Sequence, residues 1–225
     1  NKYTIPHYWG TLGILYNTRL VDEEVDSWDI LFNQKYSGQI IMENSVRDSF
    51  VPALKLLGYS INTDNTDELD EAEAMLKEQR PMVQAYLLDS ARDEMIAENA
   101  AIALVYSGEA PYATEYNEDL AYVVPKQGSN VWVDSWAITK DCKNTENAEK
   151  FLNYLLEVEI SKISFEYNHY GTPNKKLAEI LPAKYTEDPA LFPPSNVLDN
   201  CEIFKSLDQG TQNYYSKLWK EIKLD

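Results

Sequence analysis

Ala101-Ile102-Ala103-Leu104-Val105-Tyr106 is an unbroken apolar run of strand length. Side chains along a strand alternate between two faces, so a strand apolar at every position must be covered on both. Helices on either side of a sheet provide that cover, and the flanking sequence contains them. Residues 65–79 read as a helix: Asn65 can cap it, Glu68 follows three positions later, and Leu69, Ala72 and Leu76 form one stripe. Arg80-Pro81 stops it. Strands are expected over 3–5, 12–16, 39–42, 83–86, 121–124 and 131–138. Helical segments are expected over 27–32 with Ser27 as cap, over 48–57 ended by Gly58, and over 90–98.

After Asp141 the pattern turns helical. Ala148, Phe151, Leu152, Leu155 and Leu156 place one apolar stripe on a helix over 144–157. Further helices are expected over 159–167 and 213–224, with a loop around a short helix over 182–194. Tyr170-Gly171-Thr172-Pro173-Asn174 must turn. Strand–helix alternation followed by a helical tail means an α/β fold.

Charge narrows the function classes. The 225 residues carry a formal net charge of −17, which excludes the basic surface that nucleic-acid binding needs. It equally disfavours docking on anionic lipid. Sixteen Tyr, five Trp and six Phe supply enough aromatic surface for a real core, unlike a disordered acidic chain. Most of the acidic excess lies on helical faces such as 67–73, which read as solvated. Cys142 and Cys201 form no CxxC pair and read as lone structural thiols, and His7 and His169 read as ordinary polar residues. There is no apolar run long enough to span a bilayer. GxSxG, HExxH and P-loop patterns are all absent, so an enzyme is not expected.

The informative residues follow strands. Tyr106 ends the apolar run, and Asp48 lies just beyond 39–42. Open α/β sheets bind ligands beyond the carboxyl ends of their strands. Trp132 and Asp134 are two apart on a strand and share a face. A carboxylate beside an indole suits a cationic ligand head, which the acid pairs and the ring face attracts. Each residue also has a plain structural role: Trp132 as core, Asp134 as a strand-end carboxylate, Tyr106 as a strand former, and Asp48 as an acid favoured near a helix N-terminus.

Four motifs in order carry a resemblance: Ile5-Pro6-His7-Tyr8-Trp9-Gly10-Thr11, Tyr106-Ser107-Gly108, Val131-Trp132-Val133-Asp134-Ser135-Trp136-Ala137-Ile138, and Tyr170-Gly171-Thr172-Pro173-Asn174. Together they resemble the spermidine/putrescine-binding proteins of bacterial ABC importers, over essentially the whole chain. The resemblance implies a type II periplasmic-binding-protein-like fold that closes on polyamine between two lobes, with no cofactor. It makes Trp132 the indole along the methylenes, Asp134 an amine-gripping carboxylate, and Tyr106 and Tyr170 further walls. The family can offer two acids three apart for the other amine; here the later is Asp48, while the earlier falls on Ser45. That departure leaves the preference between diamine and triamine open. Near Phe204 the family can offer a polar contact, in a loose local register.

The resemblance also implies a division of the chain. Residues 9–125 would form lobe two, while 1–8 and 126–225 would form the crossover strands and the C-terminal part of lobe one, whose N-terminal half is absent. The partners implied are ABC permease subunits, with self-association through the uncovered lobe-one surface. The implied location is extracytoplasmic, in the periplasm or on the outer face of the membrane, as a lipoprotein or a permease fusion. The alternative is a binding protein for another solute, such as ferric ion or a different cationic metabolite. Tyr214-Tyr215 is the residue pair that ferric ion would use, although neighbours on a helix point apart.

Overall fold

A computed structural model describes residues 3–224. Six strands form the sheet: β1 (Thr4–Asn17), β2 (Ile40–Glu43), β3 (Val83–Leu87), β4 (Ile102–Tyr106), β5 (Leu120–Val123) and β6 (Val131–Ala137). The order is β3-β2-β4-β1-β5, and β6 pairs with the first half of β1. β2 runs parallel to β3 and β4, whereas β1 is antiparallel to β4, β5 and β6. The apolar run therefore occupies the middle of the sheet. Leu12, Ile14, Ile40, Met42, Ile102 and Leu104 feed one core. Leu15, Ile41, Ala103 and Val105 feed the other. This is the two-sided burial expected of an all-apolar strand.

The stretches 3–5 and 12–16 belong to one long strand, β1, rather than two. Pro6 is tolerated because the register shifts between Pro6 and Tyr8, where no regular ladder bond is required of it. β1 thus passes from the main sheet at Leu12–Asn17 to its ladder with β6 at Thr4–Thr11.

Helices cover the sheet: α1 (Val46–Leu56), α2 (Thr66–Gln79), α3 (Ser90–Ile96) and α4 (Glu109–Tyr116). Asn65 caps α2 by accepting from the Asp67 amide at 3.0 Å. Glu68 does not complete a reciprocal capping box; it accepts from the Thr63 hydroxyl, which in turn accepts from the Asn65 amide at 3.1 Å. Ser27 caps a 3₁₀ turn at Trp28–Phe32, as expected. Helix α4 is absent from the sequence reading. Its buried face is only Ala110, Pro111 and Ala113, too slight to show as an apolar stripe.

The remaining helices are α5 (Thr145–Leu155), α6 (Val158–Asn168), α7 (Lys175–Ile180), α8 (Ala183–Thr186), α9 (Ser195–Leu198) and α10 (Gln209–Leu224). One expectation changes here. The stripe on α5 is periodic, yet no residue of that helix is buried and Phe151 is 55% exposed. Helix α10 docks on two of the helices that cover the sheet. Tyr215, Leu218, Trp219 and Ile222 pack against Phe50, Leu54, Leu69, Ala72 and Leu76 of α1 and α2. Lys55 pairs with Glu202 at 2.6 Å, and Arg47 donates to the Lys205 carbonyl at 2.8 Å, so the approach to α10 is held there too.

Both cysteines are free. Among the described residues, no helix is long and apolar enough to cross a membrane. Asn1 and Lys2, the start of the expected 1–8 crossover, lie outside them.

Candidate functional site

The carboxyl ends of β2 and β4 and the outward face of β6 converge on one cleft. Asp48, Tyr106, Asn130, Trp132, Asp134, Tyr170 and Phe204 line a space of about 360 Å³. Six of the seven residues singled out from sequence are thus brought together. The seventh, Ser45, stands directly behind, its hydroxyl donating to Asp48 Oδ2 at 2.6 Å. Ser45 also occupies the N-cap of α1, but its side chain makes no capping bond there, because it is turned to Asp48.

Asp48 is 6% exposed in the first turn of α1. The Tyr106 hydroxyl donates to its Oδ2 at 2.9 Å, and Asn130 Nδ2 donates to Oδ1 at 3.3 Å. All three of its hydrogen-bond donors, Ser45, Tyr106 and Asn130, are neutral groups. Asp134 differs. It is exposed on β6, with no hydrogen bond to its side chain among the described residues.

Four rings wall the cleft, those of Tyr106, Trp132, Tyr170 and Phe204. Trp132 meets Tyr106 edge-to-face at 6.0 Å and Tyr170 at 5.0 Å. The Trp132 indole N–H is buried without a protein partner. The Tyr170 hydroxyl donates to Glu109 Oε1 at 3.1 Å, while Arg92 holds Oε2 of the same carboxylate at 3.0 Å. Burial, and next the charge of the neighbouring acid, push both tyrosine hydroxyls up, so they remain protonated donors. Phe204 is aligned by the Arg47 guanidinium, which lies 3.9 Å over its ring. It offers an apolar wall, not the polar contact that the loose register suggested.

Gly108 is required for this arrangement. A Cβ there would overlap the Tyr170 ring, with Cζ only 2.5 Å away. Gly108→Ala should expel the ring, break its bond to Glu109 and cost about 1–3 kcal/mol as overpacking. Urea unfolding with near-ultraviolet circular dichroism checks this; an unchanged aromatic spectrum would count against the packing described.

Asn130 and Glu43 escape a reading of the sequence, whereas Glu109 stands out there only as a carboxylate just past the end of the apolar strand. Asn130 precedes an apolar strand and looks like a turn residue. Glu43 ends β2 and is buried, and Glu109 opens a helix that has no visible stripe. Burial, then the charges of Asp48, Asp89 and Glu109, push the Glu43 carboxyl up to about 8. A folded-state value above that of the unfolded chain means that the contribution of this group to stability is greatest below about pH 4.5 and falls as pH rises towards 8. Glu43→Gln should remove that loss. We expect unchanged unfolding free energy at pH 4.5 and a gain of about 1–3 kcal/mol at pH 8, at 1.36 kcal/mol per pKa unit with a discount for relaxation. Urea titrations at the two pH values test it.

Tyr214 and Tyr215 do not converge. The Tyr215 hydroxyl is buried against the Thr63 carbonyl, whereas Tyr214 donates to Asp70 at 2.5 Å. His7 stacks on Tyr8 and Trp136, and His169 ends α6 in a left-handed conformation, so both are absorbed by local structure. Among the described residues, no cluster of His, Cys, Asp or Glu could hold a metal ion.

A profile of the family described as bacterial extracellular solute-binding protein matches residues 1–193. The chain belongs to that family. The spermidine/putrescine-binding periplasmic protein of Escherichia coli is 32% identical to this solute-binding protein over 222 residues, which is 97% of this chain and 64% of that one. The putrescine-binding periplasmic protein SpuD of Pseudomonas aeruginosa is 30% identical, covering 99% of this chain and 65% of its own. The crystal structure of the spermidine/putrescine ABC transporter substrate-binding protein PotD from Streptococcus pneumoniae superposes with a TM-score of 0.91 at 37% identity. It covers all of this chain and 69% of its own. The chain therefore spans about two thirds of the length of these relatives. The α/β, periplasmic-binding-protein-like fold expected from sequence is the fold found, and the family to which the chain belongs is described as extracellular and solute-binding.

Proposed function

We propose that this protein binds a polyamine, putrescine or spermidine, as the solute-binding subunit of an ABC importer. One observation carries the reading: two carboxylates, Asp48 and Asp134, share a cleft walled by Tyr106, Trp132 and Tyr170, and no Lys or Arg lines it. A flexible dication complements that site. Its ammonium groups neutralise the carboxylates, and its methylenes and charge are both suited to ring faces. The names of the relatives support the same solute.

The division of labour follows from this reading. Asp48, positioned by Ser45, Tyr106 and Asn130, holds one ammonium group, and Asp134 holds another. Trp132, Tyr170 and Phe204 enclose the methylenes. We assign residues 9–125, together with α10, to one lobe, and the β1–β6 ladder to the crossover. ABC permease subunits are the partners, outside the cytoplasm, with a lipid anchor or permease fusion as the means of attachment. The uncovered stripe of α5 favours self-association.

Nuclear magnetic resonance on labelled protein tests the solute, because it detects even millimolar binding. The buried Trp132 indole N–H is the reporter. Putrescine and spermidine should shift that resonance saturably, while uncharged 1,4-butanediol should not. A Trp132 signal indifferent to both polyamines would sink the reading.

A further inference from the structure

Glu43 has no task in the cleft as described, yet it is 2% exposed, and its Oε1 lacks any hydrogen-bond partner. Its place is fixed: it ends β2, and the Ser49 hydroxyl donates to its main-chain carbonyl. Groups from every adjoining element face it. They are Asp48 of α1, Asp89 after β3, Tyr106 of β4 and Glu109 of α4. The cations nearby are engaged elsewhere. Arg92 of α3 holds Glu109 at 3.0 Å, and Lys223 of α10 donates to Asn44 Oδ1 at 2.9 Å. Glu43 is thus a buried carboxyl among acids, immediately behind the residue assigned to a ligand ammonium.

We propose that Glu43 is a proton-exchanging positioning residue: neutral in the free cleft, it ionises when a cationic ligand docks against Asp48, and its proton leaves to water. This rests on the polyamine reading of the site. A buried carboxylate with one oxygen unpartnered and a single main-chain N–H, that of Asn44, on the carboxyl is costly, so the free protein retains the proton, in keeping with a carboxyl pushed up to about 8. As a general scale, a unit positive charge about 6 Å from a carboxyl, at an effective dielectric constant of about 20, favours its ionised form about a hundredfold. Docking therefore converts a neutral acid into a second negative charge behind Asp48. A diamine or triamine gains from that charge, and an uncharged analogue does not. Binding and proton release are linked, so affinity rises with pH between about 6 and 8.

Carboxyl-labelled glutamate makes the state of Glu43 visible by carbon resonance, assigned through its disappearance in Glu43→Gln. In the free protein at pH 7 it should show the carboxylic-acid shift, and saturating putrescine should move it to the carboxylate shift at the same pH. Calorimetry in two buffers of different ionisation heat should then read about one proton released per putrescine, and none in Glu43→Gln. Wild-type affinity should rise about tenfold from pH 6 to pH 8, while that of Glu43→Gln stays flat. A carboxylate signal for Glu43 in the free protein at pH 7 overturns the proposal whatever the ligand does. Equal proton release from wild type and Glu43→Gln overturns it as well. If putrescine moves neither this resonance nor the Trp132 indole, the polyamine reading falls, and the exchange falls with it.

Discussion

Asp134→Asn should weaken putrescine binding by about 10–100-fold while leaving unfolding free energy within about 0.5 kcal/mol of wild type. The separation of the two effects follows from the surroundings of this carboxylate. It is exposed on β6, and no protein donor holds it among the described residues. The near-isosteric amide therefore removes charge and disturbs no packing. Losing one partner of a charged hydrogen-bonded pair at an interface costs about 2–5 kcal/mol when the pair is desolvated, and an exposed carboxylate belongs at or below the lower end of that range. Asp48→Asn would be a poorer test. Ser45, Tyr106 and Asn130 all donate to that carboxylate, so a change there would mix lost affinity with lost structure. The Trp132 indole titration gives the affinity, and urea unfolding gives the stability. Wild-type affinity in Asp134→Asn would remove this residue from the site.

Gly128→Ala should destabilise the protein by about 3–5 kcal/mol, a large part of the 5–15 kcal/mol available to a typical domain. Two costs combine. Gly128 has φ +85°, a conformation that disfavours any side chain, and an added Cβ would overlap the Asn200 carbonyl group and lie 2.9 Å from its Cβ. The backbone at Asn200 has little freedom to yield. Its side chain donates to the Lys126 carbonyl at 3.0 Å, and the next residues are bound through Glu202 N to the Ser129 carbonyl at 2.8 Å and Val131 N to the Glu202 carbonyl at 2.8 Å. The Gly128 carbonyl also accepts from the buried Trp28 indole at 2.9 Å. The damage should reach the cleft, because Asn130 and Trp132 follow directly in the chain. Thermal and urea unfolding measure the loss, and a cost below about 1 kcal/mol would show that the 198–202 segment is not held as described.

Much of the cleft was legible beforehand because it rests on local rules. Trp132 and Asp134 share a face through the two-residue period of a strand, and Tyr106 follows an apolar run that could only be central. Glu43, Asn130 and the partners of Glu109 were not legible. Each looks ordinary in its own segment, and acquires meaning from neighbours far away in sequence. Asn130 reaches Asp48 across 82 positions, and Tyr170 reaches Glu109 across 61. That Phe204 carries a ring is plain from the sequence; that Arg47 lies over it is visible only in the structure.

The amino-acid sequence by itself determined the α/β class, the two-sided central strands, the Asn65 cap and the shared face of Trp132 and Asp134. All of these follow from periodicity and backbone chemistry within a few residues. The tertiary structure alone decided which faces meet. It docked α10 on α1 and α2 instead of with the preceding helices, left the α5 stripe uncovered, and joined two expected strands into β1. It also decided the state of Glu43. Ionisation of a buried carboxyl depends on the solvent it has lost and on the charges around it, and here those come from α1, the β3–α3 loop and α4 at once.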